Sequence, residues 1–394
     1  MTSTRPVSGT SGTARTSTAP GTTPRGREVA GPTPPVKVPE HRASAQLGIL
    51  GVLGLCVTVC LWVVWRTGPN KFRALDLFEA TARGWPTVTV PADGQYILRA
   101  PLGPILYRLV PVHGPSIFLG LHAVCLLASG ALLAAWLCRR LGRTSGLVAA
   151  MIVALAPVTA VLLLFIGLYD AFSILAWVVV LVSLGRRPSW QLAAGVLAGI
   201  QDFEQIGVGL LLVALLPGLA RAAGLRPRVG ALLGGAVAGK FALEIYLHAV
   251  GAGSGSRLTY LARWDVFSGL LGSAAADAPL LLWSALAGLW GFALKALHDS
   301  WGSWRCQQRA GLILAAGLWF ATGALSWEHT RVLALTSFPL VVMGAMAIAQ
   351  RWPDLRELAR LPQTWLLVLP PVVLVDFTTV QMGIKPGTWG IWMF

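Results

Sequence analysis

The chain has 394 residues, of which 55% are hydrophobic and 12% charged, and its mean hydropathy is +0.67. This composition, with repeated apolar runs of about 20 residues, is typical of an integral membrane protein and excludes a soluble enzyme. The net charge of +15 does not indicate nucleic-acid binding. Its basic residues lie instead in an N-terminal tail and in short loops at alternate ends of the apolar runs, which is the positive-inside pattern.

The N-terminal residues 1–45 are rich in Ser, Thr, Pro, Gly and Arg and contain little apolar surface to bury. Such a segment does not offset the entropy of ordering, so we expect a disordered tail. A cleaved signal peptide fits poorly, because the long basic tail precedes the first apolar run and no clear small-residue cleavage site follows it. We therefore expect an uncleaved signal anchor with the tail in the cytoplasm.

Apolar runs occur throughout residues 46–394 and predict one all-α integral membrane domain, a polytopic bundle of about 11 transmembrane helices. The predicted spans are 47–65, 116–138, 145–166, 171–185, 190–201, 206–220, 229–250, 279–297, 309–325, 332–350 and 364–379. Arg-rich loops mark the cytoplasmic ends of these spans. The large outer segments are then 66–115 and 251–278, and no soluble domain remains.

Two predicted spans, 190–201 and 206–220, flank a polar stretch at 201–205 and are too short to cross about 30 Å. The alternative is a single helix over 190–216 that buries the two carboxylates of this stretch at mid-membrane. A single helix would move the later Arg-rich loops to the outer side. The charge rule therefore favours two short helices.

On this topology nine of the sixteen carboxylates lie at the outer face. They are Asp76, Glu79, Asp93, Asp170, Asp202, Glu204, Asp265, Asp277 and Glu328. Ionisable groups are costly in and near the membrane unless they serve a purpose. Their accumulation at one face indicates a binding or reaction site there.

The first outer segment contains a predicted interfacial helix over 72–84, which Gly84 can end. Asp76 and Glu79 lie three residues apart and so share a side of this helix. Two carboxylates placed in this way can supply a general base and a group that orients it. A solvated helix face explains the spacing as well, and that alternative stays open.

A turn-rich stretch follows this helix before the second span, and a second short motif ends the third span. The two are Tyr96-Ile97-Leu98-Arg99-Ala100-Pro101-Leu102-Gly103-Pro104-Ile105-Leu106-Tyr107 and Gly167-Leu168-Tyr169-Asp170. One span, an outer helix with an early Asp, and these two motifs together resemble the GT-C membrane glycosyltransferases. The resemblance covers the first four spans and implies a GT-C-like fold.

The resemblance further implies a polyprenyl-phosphate sugar donor and a catalytic carboxylate in the first outer segment. Asp76 then becomes the general base, which accepts the proton of the acceptor hydroxyl in a single displacement that inverts the anomeric carbon. Glu79 departs from the family pattern, because it follows three residues later instead of adjoining the first carboxylate.

The leaving lipid phosphate needs a cation, and arginine binds phosphate oxygens through two parallel hydrogen bonds. Arg331 is the leading candidate, because a charged group between two apolar spans is costly unless it serves something. A structural pair with Glu328 is the alternative for Arg331. The other candidates for the donor phosphate are Arg257, Arg263, His329 and Lys240.

Several of these candidates have structural interpretations too. His329 can simply cap a helix end, and Lys240 lies four residues from Glu244, so the two can neutralise each other inside the bundle. Asp202 and Glu204 are either acceptor-site groups or solvated turn residues. The candidate acceptor- or sugar-binding residues are Tyr169, Asp170, Asp202, Glu204 and Glu328.

No Cys or His spacing indicates zinc and no Gly-rich phosphate loop occurs, so no metal or cofactor is assigned. We expect a multi-pass glycosyltransferase of a bacterial plasma membrane that moves mannose or arabinofuranose to an extracytoplasmic glycolipid, glycan or protein. Its partners are the donor, the acceptor and membrane lipids, with no nucleic acid. The Ala-, Gly-, Arg- and Trp-rich composition suits a high-GC bacterium, and similar actinobacterial proteins are mannosyl- and arabinofuranosyltransferases.

Two other classes of function remain. A transporter or flippase for a lipid-linked glycan or small solute would line its pathway with the same charges, although no convincing internal repeat is visible. A non-catalytic membrane scaffold has no evident need for so many carboxylates at the outer face.

Overall fold

The computed structural model describes residues 75–88, 97–252, 263–326, 328–367 and 369. The predicted tail 1–45, the first span 47–65 and most of the last span 364–379 lie outside these residues. So do two residues singled out from the sequence, Asp93 and Arg257.

The regular structure in the described part of the chain is helical, without strands. The helices are α1 (Leu75–Gly84), α2 (Leu102–Arg108), α3 (Pro115–Leu141), α4 (Arg143–Leu155), α5 (Pro157–Leu164), α6 (Asp170–Ser183), α7 (Pro188–Leu215), α8 (Pro217–Ala222), α9 (Val229–Ala249), α10 (Trp264–Ala276), α11 (Ala278–Leu286), α12 (Leu289–Ser300), α13 (Cys306–Ala324), α14 (His329–Arg351), α15 (Leu355–Ala359) and α16 (Pro362–Leu366). A short 3₁₀ turn at Trp301–Ser303 precedes α13.

Four of these helices, α3, α7, α9 and α14, are long and apolar enough to cross a membrane, and up to six crossings result if each of two bent helix pairs counts as one. Helices α3, α9 and α14 agree with the predicted spans 116–138, 229–250 and 332–350 to within a few residues. The described part of the chain is therefore all-helical, with several helices that could cross a membrane. The count of eleven spans stays a prediction.

The predicted span 145–166 is not one straight helix. It consists of α4 and α5, which meet at an angle of 56°. Ala156 between them is extended, with φ −68° and ψ 153°. The next residue is Pro157, which disfavours the helical conformation in the residue before it and lacks an amide donor. Proline therefore accounts for the bend.

Part of the predicted outer segment 251–278 is helical, a helix that the sequence analysis did not predict. Helix α10 occupies Trp264–Ala276, and α11 follows at an angle of 74° across Asp277. The predicted span 279–297 is divided as well. Its two parts are α11 and α12, which are separated at Ala287, a residue with φ of 42°.

Helix α7 turns back on itself at Asp202, whose φ of −162° and ψ of 71° are not helical. Gln201, just before this break, donates a hydrogen bond to the Tyr169 carbonyl at the start of α6. Gly209, seven residues after the break, packs against the ring of Trp177, halfway along α6. A straight helix would have carried Gly209 about 10 Å past the end of α6.

The path of α7 thus agrees with two short helices over 190–220 and not with one straight helix through 190–216. Each half has about 14 residues and a length of about 20 Å, less than the thickness of the hydrocarbon core. The break lies at one end of the bundle, where the first turns of α6 and α14 also lie.

The opposite end of the bundle collects the arginine-rich segments. The Arg140 guanidinium donates to the Gly224 carbonyl at 2.7 Å, and Gly224 lies beside Gln350 near the end of α14. The Arg228 amide donates to Gln191 near the start of α7. Loops far apart in sequence therefore form one basic face, as the positive-inside interpretation requires.

Close helix packing holds the first half of α7 against α9. Gly195 and Gly199 face Leu232 and Ala236 on α9, and Gly239 faces the α7 backbone in return. Helices separated by glycines approach closely enough for extensive van der Waals contact, which drives helix association in lipid. This contact fixes α9 beside the break in α7.

We predict that Gly199→Ala destabilises the protein by about 1–3 kcal/mol, because an added methyl group would overlap the Ala236 carbonyl oxygen and push α7 from α9. The measurement is the thermal unfolding midpoint of the purified protein. Gly234→Ala on α9 is the matched control, since its added methyl group meets open space. Equal midpoints for the two variants would contradict the packing described.

Candidate functional site

A cavity of about 70 Å³ lies at the end of the bundle opposite the basic face. The segment from α1 to α2, the first turn of α6, the break in α7 and the first turn of α14 surround it. Its lining residues are Phe78, Ile97, Arg99, Ala100, Tyr169, Asp170, Ser173, Gln201, Asp202, Glu204, Gln205 and Arg331. Most of them are polar or charged.

Arg331 is held by two carboxylates on one side of this cavity. Its Nε and Nη2 donate to the two oxygens of Asp170 at 2.5 and 2.8 Å, and its Nη1 donates to Glu328. The side chains of Arg331 and Asp170 are 9% and 5% exposed. The Phe165 ring lies 6.0 Å from the guanidinium carbon. The guanidinium is thus enclosed and its charge more than compensated.

The pairing of Arg331 with Glu328, which was the alternative interpretation of Arg331, is observed, but the bidentate partner Asp170 was not foreseen. A buried guanidinium that two carboxylates hold in a fixed geometry is expensive to separate from them. Arg331 therefore fits a structural role better than the donor-phosphate role assigned to it from the sequence.

Four side chains on the other side of the cavity form an alternating chain of charges. Glu244 Oε1 accepts from Arg99 Nε at 2.7 Å and from Lys240 Nζ at 3.0 Å. Lys240 Nζ also contacts Glu204 Oε1 at 3.0 Å. The predicted neutralisation of Lys240 by Glu244 is confirmed. The chain ties the segment before α2 to α9 and to the break in α7.

Asp202 caps the second half of α7. Its Oδ1 accepts a hydrogen bond from the Gln205 amide, three residues later, as an N-cap aspartate does. Gln201 is fully buried and links three elements, because its amide also accepts from the Leu102 amide at 3.1 Å while it donates to Tyr169. Asp202 makes no ion pair among the contacts of the described residues.

Carboxylates outnumber cations around the cavity. The lining residues and their ion partners comprise Arg99, Lys240 and Arg331 against Asp170, Asp202, Glu204, Glu244 and Glu328. An excess of acceptors suits a ligand that presents hydroxyl donors or positive charge.

The predicted carboxylate pair of α1 is separated by the fold. Glu79 is buried, accepts a hydrogen bond from the Tyr107 phenol at 2.6 Å and contacts Arg83 at 3.1 Å. Burial raises the pKa of Tyr107, and the bond to Glu79 adds to the rise. Asp76 is exposed, and neither carboxylate lines the cavity. The two carboxylates, three residues apart on α1, are therefore in different environments.

The helix over 72–84 is confirmed where the structure describes it, since α1 ends at Gly84. Within α1 the buried residues Phe78, Glu79, Thr81 and Ala82 form the inner face. Glu79 thus supports the segment from α1 to α2, and Phe78 is the residue of α1 that reaches the cavity.

The remaining candidates lie away from the cavity lining. His329 is buried, and its Nδ1 pairs with the Gly323 carbonyl at 2.8 Å, so it ties the end of α13 to the start of α14. This agrees with the helix-end interpretation. Arg263 pairs with Asp265 at 2.7 Å on an exposed surface. Neither residue is positioned to bind a phosphate in this cavity.

Four polar residues of the cavity were not predicted as site residues from the sequence: Arg99, Ser173, Gln201 and Gln205. Arg99 lies in the stretch that carries the family resemblance, and its charge beside an apolar helix was an available signal. Gln201 and Gln205 flank the polar stretch in α7. No local pattern marks Ser173, which lies one turn after Asp170 on the same face of α6.

Comparisons of this chain with protein-family models, with curated proteins and with solved structures found no match.

We predict that Arg331→Gln strongly destabilises the protein, by about 3–5 kcal/mol, because it leaves the buried Asp170 carboxylate without its cation. Adding Asp170→Asn to this variant should restore part of the lost stability. Thermal unfolding of the single and double variants measures both effects. Arg186→Gln at the exposed basic face is the control, and an equal loss in this control would contradict the assignment.

Proposed function

We propose that the protein is a membrane glycosyltransferase that takes mannose or arabinofuranose from a polyprenyl-phosphate donor. The acceptor is a hydroxyl of an extracytoplasmic glycolipid, glycan or protein. The cavity between the segment from α1 to α2, α6, α7 and α14 is the active site in this proposal. The support comes from the chemistry of the cavity and from the sequence resemblance to GT-C enzymes.

The position of Asp202 is the main support for this proposal. Asp170 is engaged by Arg331 and Glu204 by Lys240, whereas Asp202 hydrogen-bonds a backbone amide and the Ser173 side chain and has no cationic partner among the described residues. Such a carboxylate can accept a proton from a substrate hydroxyl. We therefore transfer the general-base role from Asp76 to Asp202.

The reaction is a single displacement at the anomeric carbon. The acceptor hydroxyl gives its proton to Asp202 as its oxygen forms the new glycosidic bond. The bond between the anomeric carbon and the phosphate oxygen breaks, and its electron pair leaves with the polyprenyl phosphate. Gln205 and Glu204, near Asp202 in the same cavity, accept hydrogen bonds from other sugar hydroxyls.

The placement of the cavity supports a lipid-linked donor. It lies at the end of the bundle opposite the arginine-rich face, and the positive-inside rule predicts that this end faces away from the cytoplasm. A polyprenyl chain would remain in the membrane while its sugar phosphate enters the cavity from the same side. Nucleotide-linked donors are not available on that side.

A transporter is the second candidate, and the break in α7 favours it. Helices that are interrupted beside polar side chains commonly form the substrate and ion sites of secondary transporters. Asp202 would then bind a cation or a polar solute during transport. Lipid-linked glycans or small solutes are the corresponding cargo.

We predict that Asp202→Asn lowers sugar transfer about 100-fold or more, the usual contribution of a general base, whereas Asp76→Asn retains most of the activity. Asparagine caps helices as well as aspartate does, so the break in α7 is preserved. The measurement is transfer from synthetic polyprenyl-phosphomannose and polyprenyl-phosphoarabinofuranose by purified protein, including slow donor hydrolysis.

Full activity of Asp202→Asn with loss of activity in Asp76→Asn would show that Asp76 on α1, and not Asp202, is the general base. Failure of the native protein to turn over either donor would reject the transferase. Uptake of a labelled solute into sealed proteoliposomes, lost in Asp202→Asn, would then establish the transporter.

A further inference from the structure

We infer that Arg99 and Lys240 form a binding site for a phosphate group, which the Glu244 carboxylate occupies when no ligand is bound. This inference rests on the proposed function, because it names the residues that hold the phosphate of the lipid-linked donor. It replaces Arg331 in that role.

The geometry of three side chains points to this site. Arg99 Nε and Lys240 Nζ both reach the same oxygen atom, Glu244 Oε1, at 2.7 and 3.0 Å. Two cationic groups that converge on one anionic oxygen present the donor arrangement that a phosphate oxygen requires. Arg99 also lines the cavity, so the site adjoins the space in which a sugar would lie.

The exposure of the partner carboxylates distinguishes these cations from Arg331. The side chains of Arg99 and Lys240 are 14% and 19% exposed, whereas their partners Glu244 and Glu204 are 30% and 49% exposed. The carboxylates are thus the outer partners, which can turn into water when another anion arrives. Arg331 and its partner Asp170 are both enclosed, so that pair does not exchange.

The surroundings favour a phosphate carried by a lipid. Val237, Phe241 and Ile245 form an exposed apolar stripe along α9. Lys240 lies three positions after Val237, and Glu244 lies three positions after Phe241. Residues three apart are neighbours on a helix surface. An isoprenoid chain along the stripe would therefore bring its phosphate to Lys240 and Arg99.

The exchange of anions has a measurable consequence. Glu244 competes with the ligand for both cations, so its neutralisation should strengthen phosphate binding even though it removes two ion pairs. A purely structural role of the Arg99, Glu244 and Lys240 contacts predicts the opposite outcome, namely lower stability and no gain in affinity.

The test is isothermal titration of the purified full-length protein with farnesyl phosphate, with inorganic phosphate and farnesol as separate arms. Glu244→Gln should bind farnesyl phosphate about fivefold more tightly, which corresponds to the loss of a partly exposed ion pair. Glu204→Gln should also tighten binding. Arg99→Gln and Lys240→Gln should each weaken binding about tenfold, and farnesol binding should not depend on these residues.

Asp299→Asn is the matched control, because Asp299 forms a similar pair with Lys295 four residues earlier on α12. Its affinity should equal that of the native protein. Unchanged or weaker binding in both Glu244→Gln and Glu204→Gln would overturn the inference, as would native affinity in Arg99→Gln and Lys240→Gln. If inorganic phosphate binds as tightly as farnesyl phosphate with the same dependence, the site holds a free anion and the lipid assignment fails.

Failure of this inference is separable from failure of the proposed function. Sugar transfer by the native protein tests the function alone. Phosphate binding that depends on Arg99 and Lys240 without any sugar transfer would reject the transferase and leave the phosphate site in place. Sugar transfer together with phosphate binding that does not depend on these residues would reject the phosphate site and leave the transferase in place.

Discussion

The break in α7 at Asp202 brings the polar residues of the site together. An unbroken helix would carry Glu204 and Gln205 away from α6 and α14. The break instead turns the chain back along α6, as the contact of Gly209 with Trp177 shows. Asp202 compensates for backbone hydrogen bonds that are lost at the turn, because its side chain accepts a hydrogen bond from the Gln205 amide. The polar stretch of the chain is thereby concentrated at one end of the bundle.

Electrostatics divides the charged residues at that end into two kinds. The Arg331 and Asp170 side chains are enclosed together, and they fix α14 against α6 through two parallel hydrogen bonds. The Arg99 and Lys240 side chains share a more exposed carboxylate, which a ligand anion can replace. Burial rather than the identity of the cation distinguishes a structural pair from an exchangeable one. An excess of carboxylates over cations completes the site and suits hydroxyl-bearing ligands.

Local spacing in the sequence predicted the local contacts. The end of α1 at Gly84, the pairing of Lys240 with Glu244 and that of Arg331 with Glu328 all involve neighbours within a turn or two of helix. Contacts between distant residues had no such signal: Asp170 meets Arg331 across 161 positions and Arg99 meets Glu244 across 145. On α1 the three-residue spacing placed Asp76 and Glu79 near each other but did not show that only Glu79 is buried. The bend before Pro157 was available from the sequence, whereas the helix over Trp264–Ala276 was not predicted within the outer segment 251–278.

We expect the carboxylate-rich cavity to face the outside of the cell and the arginine-rich end to face the cytoplasm, because the positive-inside rule places basic segments in the cytoplasm. Cysteine labelling tests this orientation. Glu204→Cys places a thiol at the cavity, and native Cys306, which is exposed beside Arg305 and Arg309, reports on the other end. With the other cysteines replaced, a membrane-impermeant maleimide should label position 204 in intact cells and Cys306 only after permeabilisation. Labelling of Cys306 in intact cells, with position 204 protected until permeabilisation, would show the opposite orientation.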